Sequence, residues 1–196
     1  MKKNSVHQMA TMAMLAAISI VLMYFVRFPI LPAAPFLEYD MADVPILIGT
    51  FLFGPVKGLI LTILVSLIQG FTVSAVSGWI GILMHIFATG AFVIVAGTIY
   101  RLKPTRLTAF ISLVVGSLGM TLVMIPLNLI FTVRFLGVPR EAVMAMLLPT
   151  IIPFNLIKAG INSVVTFVVY KSVSRAVDKL APAEIKDMST ADQSNI

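Results

Sequence analysis

Long runs without a charged residue dominate the chain. Residues 4–26, 44–56, 58–100 and 107–133 contain no Lys, Arg, Asp or Glu, and residues 142–170 are interrupted only by Lys158. A membrane-spanning helix needs about 20 mainly apolar residues. The run over 58–100 is 43 residues long, too long for one span, and Thr72-Val73-Ser74-Ala75-Val76-Ser77-Gly78 breaks it with polar positions. Six spans result, roughly 8–26, 42–54, 56–72, 78–99, 107–132 and 150–172. The second is short and enters the third through Phe53-Gly54-Pro55, a tight-turn sequence. No segment alternates with the period of two of an outer-membrane strand, so helices are predicted and a barrel is not.

Composition agrees with this pattern. The 196 residues are 59% hydrophobic and 11% charged, against about 45–50% and about 25% in a soluble domain. No cysteine is present, which excludes a disulfide scaffold, thiolate metal sites and a cysteine nucleophile. The net charge of +6 reads as a topology signal rather than as an affinity for nucleic acid. With six spans both termini share a side, which carries Lys2, Lys3, Lys57, Arg101, Lys103, Arg106, Lys171, Arg175, Lys179 and Lys186. The other side carries only Arg27, Arg134 and Arg140, so both termini are expected in the cytoplasm. Residues 1–180 are expected to form one transmembrane domain, and 181–196 a polar, mobile cytoplasmic tail. Lys2-Lys3 before an apolar run resembles a signal peptide, but no small-residue cleavage site ends the run, so it is read as the first span.

Polar residues at membrane depth are the candidate chemistry. Lys158 costs about 2.5–3.5 kcal/mol at a helix centre and must face protein or water. Asn155, Lys158, Asn162 and Thr166 form one stripe, and Pro149 and Pro153 suggest that this helix starts or restarts in the outer third of the bilayer. Either the lysine and Asn155 contact a polar ligand, or the lysine snorkels or pairs with an acid. Other stripes are Ser117, Thr121, Asn128 and Thr132 near Pro126; Gly81, His85 and Thr89; and Thr62, Ser66 and Gln69. Each alone fits ordinary interhelical bonding. Together they predict a central polar cavity that holds one small molecule. The outer segment from Arg27 to Asp40 is rich in proline and aromatics, including Phe36 and Tyr39. It is read as an interfacial segment or, more sharply, a lid over an outward-facing pocket. Ala13 and Ala17 on the first helix make a small-xxx-small pair that lets another helix approach closely.

Several function classes lack their parts. There is no G-x-x-x-x-G-K-[ST] loop, no H-E-x-x-H and no G-x-S-x-G. His85, Lys158 and Ser66 are the only plausible set for an intramembrane enzyme, and nothing fixes them as one. Acids are nearly absent from the spans, with Asp43 placed at an outer edge, which argues against a stand-alone secondary carrier or channel.

Three segments carry a resemblance. They are Phe28-Pro29 through Tyr39-Asp40-Met41-Ala42-Asp43-Val44-Pro45, then Phe53-Gly54-Pro55-Val56-Lys57-Gly58, then Pro153-Phe154-Asn155-Leu156-Ile157-Lys158. In this order, within residues 8–175, they resemble the substrate-binding S components of energy-coupling factor vitamin transporters, nearest the riboflavin-transporter branch. The resemblance implies an all-α membrane protein of six transmembrane helices around a central outward-facing ligand pocket, in a bacterial cell membrane. It implies high-affinity capture of a vitamin and no enzymatic activity or cofactor. It also implies docking on a transmembrane coupling protein served by two ATPases, with the whole S component toppling in the membrane. Ala13 and Ala17 match the family's docking motif, and the outer segment with Tyr39 and Asp40 matches its capping loop. Asn128, Asn155 and Lys158 match its ligand contacts, with His85 and Asn162 on the same polar faces. The third helix offers Ser66 and Gln69 where riboflavin-type members often carry Lys-Asn, and His85 stands near their Ala-Asn-Phe. This wall leaves riboflavin, pantothenate, pyridoxine and a thiamin-precursor pyrimidine open, and tilts the expectation toward a vitamin smaller than riboflavin.

Overall fold

Helices occupy the places where the apolar runs fall. The computed structural model describes residues 2–32 and 34–180, and the tail expected at 181–196 lies outside the described residues. α1 (Lys2–Phe25), α2 (Asp43–Phe53), α3 (Pro55–Phe71) and α4 (Gly78–Leu102) follow the first four predicted spans. α5 (Arg106–Leu127) runs through a π-helical segment, Asn128–Thr132, into α6 (Val133–Leu136). α7 (Arg140–Met146) likewise runs through Leu147–Ile151 into α8 (Ile152–Leu180). The last helical path therefore begins at Arg140 and not near residue 150. Pro149 and Pro153 do not end it, because the wider π turns absorb the missing N–H groups and ring clashes that proline brings.

Four helical stretches are long and apolar enough to cross a membrane, namely Val6–Phe25, Ala75–Leu102, Arg106–Leu136 and Arg140–Val177. α2 and α3 are shorter, at 11 and 17 residues. At 1.5 Å per residue they reach only about 16 and about 26 Å, against a hydrocarbon layer of about 30 Å. α2 makes a partial passage because it starts deep in the bundle. Its first residue, Asp43, touches Thr89 midway along α4, and Ser19 of α1 donates to the Ala42 carbonyl at 3.0 Å. The missing height is covered by the outer segment, which descends to this level. Non-helical backbone at such depth is tolerated only where protein or a cavity surrounds it.

That segment contains two short antiparallel strands that the pattern did not reveal, β1 (Arg27–Pro29) and β2 (Glu38–Asp40). Arg27 pairs with Asp40, Phe28 with Tyr39, and Pro29 with Glu38. Arg27 Nε donates to Glu38 Oε2 at 2.7 Å, and Phe28 packs on Tyr39 with centroids 5.3 Å apart.

Close helix approach sets the core. Gly54, at φ +90°, turns α2 into α3 in a conformation that a side chain resists. Gly116 of α5 leaves room for Phe92 of α4, which is fully buried. Met23, Leu47, Leu61, Val65, Val93 and Leu113 belong to the same cluster. The outer surface is also apolar, with Phe110, Leu122, Val164 and Val168 exposed. Such a surface is a liability in water and the natural face toward lipid.

Candidate ligand site

A cavity of about 160 Å³ lies within the half of the bundle that carries β1 and β2. One water needs about 10–15 Å³ of such space, so the cavity suits an organic molecule. Ser66 and Gln69 of α3, and Gly81, His85 and Thr89 of α4, form one part of the wall. Met120 and Met124 of α5, Asn128, Thr132 and Phe135 form another. Phe154, Asn155 and Lys158 of α8, with Arg27, Phe36, Glu38 and Asp40 of the outer segment, close it.

Lys158 is satisfied from the outer segment. Its Nζ donates to Asp40 Oδ2 at 2.9 Å, and both groups are buried. Asp40 Oδ1 also accepts from the Ala42 N–H at 3.1 Å. One helical step deeper, Asn162 gathers three partners. Its Oδ1 accepts from the Tyr39 hydroxyl at 2.9 Å, and its Nδ2 reaches Asp43 Oδ2 at 3.2 Å and the Asp40 carbonyl at 3.4 Å. Asp43 Oδ1 accepts from Thr89 at 2.8 Å and lies 3.3 Å from His85 Nε2. His85 Nδ1 lies 2.6 Å from Ser66 Oγ. The chain from Ser66 through His85, Asp43 and Asn162 to Tyr39 ties α3, α4, α2, α8 and β2 together. Groups buried this far from water must be paired, and each pair also fixes a rotamer.

Two asparagines are set by the π segments. Asn128 Nδ2 donates to the Met124 carbonyl at 2.8 Å, and Asn155 Nδ2 to the Ile151 carbonyl at 2.8 Å. Both reach four residues back, Asn155 into the end of the second π segment and Asn128, which opens the first, into the last turn of α5. Thr132 donates to Asn128 Oδ1 at 2.7 Å. Asn128 is thus held at both ends of its amide and Asn155 at one, each with its side chain in the cavity wall.

Of the seven residues expected at the ligand, Asp40, His85, Asn128, Asn155 and Lys158 line the cavity. Tyr39 and Asn162 do not line it; they stand behind it and brace Asp40. Ser117 bonds between helices, 3.0 Å from Ser163 of α8, while Thr121 donates back to the Ser117 carbonyl within α5. Asp43 is not at an outer edge. It is fully buried, because the descending segment carries it inward before α2 begins. The scarcity of acids inside the protein, inferred from the spans, therefore does not hold. Phe36, Phe135 and Phe154 supply the aromatic part of the wall; the sequence pattern marked Phe36 only as part of the outer segment and Phe154 only within a family-like segment, and it gave no sign of Phe135. Ala13 and Ala17 lie on α1 beside Ala10, Ala13 exposed, whereas Ala16 faces the core.

A helical bundle with an apolar outer face and an inner cavity lined by both aromatic and buried polar side chains has the form of a membrane-embedded binding protein. The chain belongs to the family described as ECF transporter, substrate-specific component, whose model matches residues 7–170. It is thus a substrate-binding subunit of a transporter, and not an enzyme. It is 28% identical over 179 residues to the riboflavin transporter RibU of Staphylococcus aureus, covering 88% of this chain and 93% of that protein. It is 24% identical over 188 residues to the riboflavin transporter FmnP of Bacillus subtilis, covering 92% and 98%. A solved structure, described as the S component of a bacterial ECF transporter, superposes with a TM-score of 0.76 at 30% identity, covering 87% of this chain and 96% of that one.

Proposed function

We propose that this protein captures riboflavin from the outer side of a bacterial cell membrane and delivers it to a transmembrane coupling protein driven by two ATPases. The carrying observation is the two-sided wall. Phe36, Phe135 and Phe154 offer aromatic surface, while Asn128, Asn155 and Lys158 offer fixed polar groups. A flavin has the same division, with a flat apolar ring system and a polar ring edge and ribityl chain. The riboflavin names of the relatives support the same ligand, and outweigh the lean toward a smaller vitamin.

Charge supports a neutral ligand. Arg27 is paired with Glu38, Lys158 with Asp40, and His85 faces Asp43. An anionic vitamin such as pantothenate would have to break a buried pair, which costs several kcal/mol. Asn128, Asn155, Lys158 and His85 are assigned to the ligand, Asp40 to holding Lys158, and Tyr39 and Asn162 to seating the outer segment. Ala13 and Ala17 are assigned to the coupling protein, and both termini to the cytoplasm.

The test is mass spectrometry of the small molecule that copurifies with the protein, followed by titration using quenching of flavin fluorescence. One riboflavin per protein is expected. If pyridoxine or a thiamin-precursor pyrimidine copurifies instead, the ligand assignment fails while the family stands.

A further inference from the structure

A second cavity lies at the opposite end of the bundle, between the start of α5 and the last third of α8. It measures about 210 Å³ and is lined by Arg106, Phe167, Val168, Tyr170, Lys171, Ser172 and Arg175. Three cations from two helices converge there, and no carboxylate lines it among the described residues. None of the three is paired with an acid among the described residues. Cations collected in one concave site repel one another unless an anion joins them.

The surface beside this cavity has the complementary half of an amphiphile. Val164, Val168, Lys171 and Arg175 lie along α8 at spacings of 4, 3 and 4, one stripe that turns from apolar to cationic. On α5, Arg106 is followed one turn on by Phe110. Val164, Val168 and Phe110 are all exposed, and Phe110 meets Phe167 edge-on at 6.1 Å, joining the two helices on the membrane side of the cavity. Tyr170 is buried in the same wall with a hydroxyl that bonds to nothing among the described residues.

We propose that this cavity is a binding site for an anionic phospholipid. Its phosphate sits among Arg106, Lys171 and Arg175, and its acyl chains lie over the apolar stripe of Val164, Val168 and Phe110. Basic pockets between transmembrane helices recognise acidic headgroups in this way. The site is distinct from the vitamin cavity and independent of which vitamin that cavity takes.

The test is native mass spectrometry of the full chain, released from nanodiscs that contain phosphatidylglycerol and phosphatidylcholine in equal amounts. Retention of phosphatidylglycerol over phosphatidylcholine is expected. Each basic residue near a membrane surface contributes about fivefold to anionic-lipid attraction, so Arg106→Gln, Lys171→Gln and Arg175→Gln together should weaken retention by roughly 100-fold. Arg101→Gln with Lys103→Gln, at the same end but outside the cavity, should leave it unchanged. An unchanged thermal-unfolding midpoint in detergent reports that the bundle of each variant is folded, whichever vitamin the first cavity takes. Equal retention of the two lipids, equal loss in the control pair, or displacement of the lipid by inorganic phosphate would each overturn the proposal.

Discussion

Lys158 joins two jobs that pull on the same atom. Its ammonium neutralises Asp40, which anchors the descending outer segment, and it also lines the cavity. Replacing Lys158 by Met leaves a buried carboxylate alone, at an expected loss of about 3–5 kcal/mol of stability. Adding Asp40→Asn removes the orphaned charge and should restore most of that loss. Riboflavin affinity should stay at least roughly tenfold down in both variants. Thermal unfolding in detergent and flavin titration separate the two effects. Wild-type affinity in the double variant would show that the lysine touches no ligand. At this scale the sequence was informative about Lys158 because a lysine amid apolar residues is conspicuous. It was silent about which acid answers it, since Asp40 lies 118 positions away and no local pattern encodes that distance.

Elements were legible in proportion to how far apolar periodicity determines them. The Phe53-Gly54-Pro55 turn was plain, because proline suits a first helical position and glycine takes the positive φ. The π segments were not, since the buried and lipid-facing sides of these helices are both apolar and a rotated face leaves no mark in the pattern. Pro126, Pro149 and Pro153 were the available signals, and they read equally well as helix ends. Each added residue rotates the remainder of the helix by about 100°, so the π turns decide which way Phe135 and Asn155 face. Pro126→Ala should let α5 relax toward regular bonding, lowering riboflavin affinity about tenfold with little change in unfolding temperature. A fall in stability with affinity intact would contradict this. Packing is tested separately at Gly116, where a Cβ would sit 2.6 Å from Phe92. Gly116→Val should cost about 1–3 kcal/mol by overpacking, read as a lower midpoint in thermal unfolding.

For the whole molecule, the sites proposed for capture and for coupling lie apart. The cavity lies between α3, α4, α5 and α8, beneath the outer segment. Ala13 and Ala17 lie on α1, away from that cavity. Ala17→Trp should therefore abolish copurification with the coupling protein and leave flavin titration unchanged. Loss of both would point to a misfolded α1. Orientation is open to direct measurement because the chain has no native cysteine. A cysteine at Arg140 should react with an impermeant maleimide added outside intact cells, and one at Lys103 should not. The six-helix count followed from four charge-free runs, a fifth interrupted only by Lys158, and the polar break at residues 72–78, whereas the descent of residues 27–42 could not be read from them. That descent is set by tertiary partners on α1, α4 and α8.

The same descent constrains how the protein is made. Asp40 and Asp43 leave the ribosome long before Lys158 and Asn162, their partners on the last helix. Two carboxylates cannot enter the bilayer interior unaccompanied at reasonable cost, so the outer segment must wait in water until α8 arrives. Closure of the cavity is then expected only after α8 is in place. A chain truncated before Ile152 should insert its earlier helices yet leave Arg27 open to trypsin from outside, whereas the full chain should resist.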